Sequence, residues 1–191
     1  VNYNLMSKYY FTASYRADGS SRFAAGKQWG YFPSASFAWR FKNEGFFKNI
    51  NVLTDGKLRI GYGANGNNRV GDFASLSTIT LPISSSYTIN NAIVRGSVPS
   101  AFGNAGLKWE TTYETNIGLD LAFFHSRISL SAEAYSKKTK DLLLNAQLPA
   151  SSGYGSAFKN IGSVQNQGLE FTLNTTNISK KRIQAAIEQD S

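Results

Sequence analysis

Along several stretches of this chain, hydrophobic and polar residues alternate with period two, which places successive side chains on opposite faces of a β-strand. In YYFTASYRA, Tyr9, Phe11, Ala13 and Tyr15 alternate with Tyr10, Thr12, Ser14 and Arg16. SASFAWRF sets Ala35, Phe37, Trp39 and Phe41 against Ser34, Ser36, Ala38 and Arg40. In KLRIGYGAN, Leu58, Ile60, Tyr62 and Ala64 oppose Lys57, Arg59, Gly61, Gly63 and Asn65. YETNIGLDLAF is the most regular: Tyr113, Thr115, Ile117, Leu119, Leu121 and Phe123 oppose Glu114, Asn116, Gly118, Asp120 and Ala122. Ile128, Leu130, Ala132 and Ala134 then oppose Arg127, Ser129, Ser131 and Glu133, and Leu169, Phe171 and Leu173 oppose Glu170, Thr172 and Asn174. Six strands are read this way, with room for a seventh near Arg182. The fold class is all-β and antiparallel.

The connections alternate in length. A long polar loop runs from about Asp18 to Tyr31, and a shorter segment, Lys42 to Gly56, has room for one helical turn around Glu44 to Lys48. A very long connection spans about Gly66 to Lys108, followed by a tight turn at His125-Ser126. Another long loop covers about Lys137 to Gly162, and a short turn is expected near Asn177 to Lys180. This is an up-and-down meander with long loops on one rim, as in outer-membrane barrels. From Tyr113 to Phe123 is about 33 Å of strand at ~3.3 Å per residue. Tilted by ~40°, it covers roughly 25 Å, the height of a barrel's apolar band. Trp109 and Tyr113 at one end, with Phe123 and Phe124 at the other, are placed as interface girdles would be. A soluble β-sandwich binding glycans or nucleic acid also alternates, but its strands are usually about half as long.

Composition narrows the chemistry. The chain of 191 residues has no cysteine, which excludes disulfides and cysteine-ligated metals, and its one histidine, His125, leaves a histidine-based metal site or a serine–histidine triad little to draw on. The net charge of +8 raises the question of an anionic partner. The basic residues are scattered, however, and the densest groups, Lys137-Lys138 with Lys140 and Lys180-Lys181-Arg182, are read as solvated loops or turns. No apolar run is long enough for a transmembrane helix, which leaves membrane-spanning strands open. The opening VNYNLMSKYYF carries none of the features of a signal peptide.

Taken in order, several segments resemble SusC/RagA-type TonB-linked outer-membrane proteins. They are DGSSRF (Asp18 to Phe23), the block from Phe32-Pro33-Ser34 to Trp39-Arg40, NEGFF (Asn43 to Phe47) and LRIGYGANGN (Leu58 to Asn67). LKWETTYETNIGLDLAFF (Leu107 to Phe124), YSKKTKDLLL (Tyr135 to Leu144) and NIGSVQNQGLEFTL (Asn160 to Leu173) complete the series. The resemblance implies a transporter in the bacterial outer membrane, in contact with its lipids, that imports glycans or peptides. It implies a SusD/RagB-type surface lipoprotein as partner and energy relayed by the TonB complex. The whole barrel of that family has about 22 strands around an N-terminal plug. Residues 1–176 are therefore expected to be a partial barrel of six to seven strands from its C-terminal half, without plug or TonB-contacting segment. Residues 177–191 are an unassigned tail, since KKRIQAAIEQDS departs from the strand pattern. No enzyme activity, cofactor, metal or nucleic-acid partner is expected.

Individual residues divide between structural and functional readings. Asp18 with Arg16 and Arg22 reads as loop structure or part of a ligand site, and His125 as a solvated turn residue. Glu110, Glu114 and Asp120 fit a wet wall better than an acid–base pair. Asn174-Thr175-Thr176 and Asn177-Ile178-Ser179 match glycosylation sequons, a pattern that arises often by chance. GYGANG (Gly61 to Gly66) matches a dinucleotide fingerprint, yet a loop follows it and no acid lies between Asp72 and Glu110. Its glycines are expected to leave space for a plug or a neighbouring backbone. The connection from Gly66 to Lys108, with Phe73, Tyr87 and Phe102, is the leading functional segment, although no ligand-contacting residue can be assigned.

Overall fold

The computed structural model describes residues 1–47 and 50–177. Thirteen strands follow one another: β1 (Asn2–Leu5), β2 (Tyr9–Gly19), β3 (Trp29–Trp39), β4 (Leu53–Asn67), β5 (Thr78–Thr80), β6 (Ser86–Ile89), β7 (Ala92–Arg95), β8 (Val98–Ala101), β9 (Glu110–Phe123), β10 (Ile128–Lys140), β11 (Leu143–Gln147), β12 (Ser156–Asn160) and β13 (Ser163–Thr175). Seven form one antiparallel sheet in the order β1-β2-β3-β4-β9-β10-β13. The remaining six pair as β5-β8, β6-β7 and β11-β12, all within the connections that precede and follow β9 and β10. The sheet is thus a meander, as the alternation predicts. Its seventh strand is β1 at the start of the chain, whereas the segment near Arg182 and the turn up to Lys180 lie outside the described residues.

Register explains why an apolar band lies on one face of the sheet. Residues directly opposite in an antiparallel pair share a face, and here Tyr3, Phe11, Phe37, Ile60, Ile117, Ala134 and Leu169 form one continuous row across all seven strands. No described strand covers that row. Phe171 is 71% exposed, Leu169 69% and Tyr15 68%. A sandwich would bury these side chains under a second sheet; a membrane barrel presents them to lipid.

The apolar band slants across the sheet. On β3 it runs through Tyr31, six residues beyond Phe37, with the exposed Trp29 past it at the strand's end, whereas on β13 it stops at Leu169 in Phe37's own row. Six residues are about 20 Å of strand, and the four strand spacings between β3 and β13 are about 19 Å. The band therefore runs at about 45° to the strands, the tilt of strands in a closed barrel. Past the band both faces are wet, so hydrophobic alternation fades while the ladder continues. For that reason β10 runs on to Lys140, where the sequence alone suggests a loop, and β13 starts at Ser163, six residues before the alternation becomes readable at Leu169. The Asp18–Tyr31 loop shrinks in the same way to the residues between Gly19 and Trp29. The ladder from β3 to β4 ends at Ser34↔Gly63, next to Pro33, which has no amide to donate.

The fully buried side chains lie at the long-loop rim, not in the sheet. Phe23, Val70 and Leu107 form a small core, against which Ala74, Trp109, Leu143 and Phe158 pack. Trp109 is part of this core and not of an interface girdle: its ring contacts Phe23 and Phe32, and its Nε1–H donates to the Gln28 carbonyl at 3.0 Å. The connection from Gly66 to Lys108 is also more ordered than its composition suggests. β5 and β8 enclose the β6-β7 hairpin, making one nested arm. Its tip is Asn90-Asn91, both at positive φ (50° and 59°), as a two-residue hairpin turn requires. Between the two halves, the Ser85 hydroxyl donates to the Gly96 carbonyl at 2.6 Å. At the base, the Gly103 amide donates to Ser77 Oγ at 3.0 Å, and the Asn104 side chain donates to the Phe158 carbonyl at 2.9 Å.

The opposite rim is closed by an aromatic cluster around one carboxylate. Of two 3-10 turns, Gly45–Phe47 falls in the helical turn expected around Glu44 to Lys48, whose last residue lies outside the described residues, and Phe41–Asn43 precedes it. Glu44 accepts from Lys8 Nζ and Tyr9 Oη, each at 2.7 Å, and from Trp39 Nε1 at 3.4 Å. Asn43 donates to the Ser7 carbonyl at 2.9 Å, joining two neighbouring turns. The Lys8 and Tyr9 hydrogen bonds hold the Glu44 carboxyl below its ordinary pKa.

Two predictions follow from these rims. A folded-state pKa below the unfolded one stabilises above the ordinary carboxylate range, near about 4.3. That contribution is lost as pH falls through the depressed value. Thermal melts of the full-length protein in detergent should therefore fall more steeply with acidification for wild type than for Glu44→Gln. At the arm, a Cβ on Gly103 would collide with the backbone of Leu76 and Ser77. Gly103→Ala should cost about 1–3 kcal/mol of local stability. Limited proteolysis should then cut faster between Thr78 and Ala101, with the barrel's melting temperature unchanged.

Candidate functional site

Opposite the apolar band, the other face of the sheet is a polar wall built from the alternate residues of the same strands. Ser14 and Ser34 share a hydrogen bond of 2.7 Å, and Thr112 and Thr139 one of 2.9 Å. Arg59 donates to Asp120 through Nε at 2.7 Å and through a terminal nitrogen at 3.1 Å. The same guanidinium reaches Glu133 at 3.3 Å, and the Ser131 hydroxyl donates to Asp120 at 2.8 Å. These charges are about one-third exposed, so the cluster is a wet, largely self-neutralised patch, worth little to stability on its own.

Small residues opposite large ones let this wall lie flat. Gly118 faces Arg59, and a Cβ there would meet the guanidinium at 2.8 Å. Gly168 faces Tyr135, whose hydroxyl would lie 2.9 Å from an added Cβ. Gly61 faces Asn116, whose side-chain oxygen occupies the space a Cβ would need. Two of the three glycines of GYGANG, Gly61 and Gly66, are explained in this way, whereas at Gly63 an added Cβ would meet only Ser34 at an ordinary 3.6 Å. Gly61 and Gly63 lie in mid-strand on β4, and Gly66 makes way for the Phe32 ring. The space at Gly61 and Gly66 is thus filled by side chains of this same sheet, whereas the sequence suggests a plug or neighbouring backbone. Around Gly61 and Gly63 the wall holds a concavity of about 420 Å³, with Ser34, Asn65, Thr112, Glu114, Asn116 and Lys137 among its lining.

The residues singled out in the sequence separate. Arg16 pairs with Asp18 at 2.8 Å on β2, while Arg22 pairs across the mouth with Asp72 at 2.9 Å. Glu110, Glu114 and Asp120 lie along one strand with about 13 Å and about 20 Å between successive members. Glu110 accepts from the Leu143 amide and Asn67, Glu114 borders the concavity, and Asp120 belongs to Arg59. No acid–base pair is formed. His125 sits in an exposed turn with Phe124 and Ser126, all three at positive φ. Asn174 lies on β13 opposite Ser129, and the second sequon extends outside the described residues. Of the aromatics in the long connection, Phe102 packs edge-on against Tyr154 at 5.3 Å, whereas Phe73 and Tyr87 are exposed.

Two residues that organise the wall and mouth carry no strong sequence signal. Arg59 becomes the centre of the charged patch only once register brings β4, β9 and β10 together. Asn160 ties the mouth by donating to the carbonyls of Lys108 and Asp141, each at 2.8 Å, and by accepting the Lys108 amide at 2.9 Å. Beside it Lys108 pairs with Asp141 at 3.0 Å.

Comparison with known proteins places this two-faced wall. A family model described as TonB dependent receptor-like, beta-barrel matches residues 1–184. TonB-dependent receptor P3 of Formosa agariphila is 41% identical over 182 residues, covering 95% of this chain and 18% of its own length. TonB-dependent receptor SusC of Bacteroides thetaiotaomicron is 40% identical over 184 residues, with coverage of 95% and 18%. The RagAB peptide importer in its closed-closed state matches with a TM-score of 0.84 at 30% identity, over 94% of this chain and 19% of the matched one. The siderophore receptor PirA from Pseudomonas aeruginosa, at 17% identity and a TM-score of 0.53, shares the fold alone. The chain thus spans under a fifth of the length of its SusC and P3 relatives, and its open sheet is one stretch of a larger wall. It belongs to the TonB-dependent receptor-like β-barrel family, as a SusC/RagA-like barrel segment of the Gram-negative outer membrane.

Proposed function

We propose that residues 1–176 form part of the barrel wall of an importer that takes up glycans or peptides, with a SusD/RagB-type surface lipoprotein and energy relayed through TonB. The observation that carries this reading is the division of one sheet into an uncovered apolar face and a polar wall, crowned by an ordered mouth. The wall offers hydroxyls, amides and internally paired charges, which suit passage of a polar solute better than a catalytic step. The likeness to SusC and to the RagAB peptide importer supports the same reading. Residues 177–191 are left outside the wall in this assignment, and neither nucleic acid nor a cofactor has a part in it.

The test uses the full-length protein with its lipoprotein partner in liposomes and in cells. At least one panel, oligosaccharides or peptides, should contain compounds that bind in the liposomes. In cells, their uptake should stop when the TonB complex is removed. Silence across broad panels of both would reject the import role.

A further inference from the structure

Lys138 and Lys140 lie on the outward face of the sheet, the face that meets lipid. Their cross-strand neighbours on that face are Tyr113 and Thr111 on β9 and Gln165 and Ser163 on β13. The two lysines follow Ile128, Leu130, Ala132 and Ala134 on the same side of β10, and they come after the apolar band has ended at Ala134 and Leu169. Lys138 is four residues past Ala134, about 13 Å of strand, or about 9 Å along the normal at a 45° tilt. That height, at the long-loop rim, is where lipid headgroups begin.

The chemistry of the patch is cationic and rich in donors. Both lysines are exposed, and so is Gln165. Lys140 Nζ lies 5.4 Å from the centre of the Tyr113 ring, which fixes the ammonium over an aromatic face. Among the described residues, the nearby carboxylates are engaged elsewhere: Asp141 by Lys108, and Glu110 by Asn67 and the Leu143 amide. Two ammonium groups on alternate residues of one strand, without a paired acid and directly above an apolar band, complement a phosphate on a lipid whose chains lie along that band. The geometry points to Lys138 and Lys140, with Gln165 beside them, as a binding site for the phosphorylated headgroup of an outer-leaflet lipid. The site stands on the lipid-facing surface, so it is independent of what the barrel imports.

The test compares full-length wild type with Lys138→Gln/Lys140→Gln in phosphatidylcholine nanodiscs, with and without added phosphatidic acid. Each lysine near a charged membrane surface contributes about a fivefold factor, so the double variant should bind the anionic lipid roughly 30-fold more weakly. Native mass spectrometry of retained lipid and the lipid-induced rise in melting temperature both read this loss. Lys138→Arg/Lys140→Arg should restore binding, and Lys137→Gln, on the polar face of the same strand, should leave it unchanged. Equal lipid retention by wild type and the double glutamine variant would overturn the proposal. So would an equal stabilisation by inorganic phosphate in detergent, which would mark a site for free anions.

Discussion

The hydrocarbon of a membrane offers no partner for a backbone amide, so every peptide group that crosses it must be bonded to another strand. The remaining features of this wall follow from that requirement. Strands must be long enough to cross at a tilt, which β4, with 15 residues, and β9, with 14, satisfy. They must pair with chain neighbours in unbroken register, as β9 and β10 do from Ile128↔Phe123 to Lys140↔Thr111. Register in turn sorts the side chains, because a strand has only two faces and the ladder fixes which residue goes to each. The apolar row from Tyr3 to Leu169 and the polar wall behind it are two results of the same ladder.

The polar wall solves a second problem, since a flat sheet crowded with long side chains cannot present an even surface. Arg59, Asn116 and Tyr135 each lie over a glycine on the adjoining strand. Every such glycine weakens a strand slightly through backbone entropy, and the side chain above it supplies the packing it lacks. The same pairing keeps the Arg59 guanidinium close to Asp120 and Glu133, so that one cation bridges the two carboxylates within the wall.

The sheet was legible in the sequence because lipid on one side and water on the other impose a strong contrast on alternate residues. YETNIGLDLAF shows this most clearly, and its assigned end at Phe123 coincides with the end of β9. Legibility failed wherever the contrast vanished. Lys137 to Lys140 reads as a loop because both of its faces are wet, although it continues β10. The nested arm from β5 to β8 escapes notice for a related reason: its strands have three or four residues each, too few to establish a period. Trp109 reads as a girdle residue because an aromatic at a strand end looks the same whether it faces lipid or packs under a loop. The Arg59 patch and the Asn160 tie depend on register and loop packing across more than 50 residues of chain, which no local pattern encodes.

The slant of the apolar band sets a rule for how such a chain can change in length. A single residue inserted in a crossing strand would invert every side chain beyond it, turning the lipid face inward. Two inserted residues would preserve the faces but shift that strand's apolar segment by one row, tearing a step in an oblique belt that neighbouring strands hold in common. Neither fault can be absorbed at the short rim, where Asn43 and Glu44 bind adjacent turns together. Growth and shrinkage are thereby channelled to the far side, into segments such as the nested arm, which touch the mouth core and leave the belt alone. A wall whose span is held to a fixed gauge thus leaves its outer loops as the part of the molecule free to be rewritten.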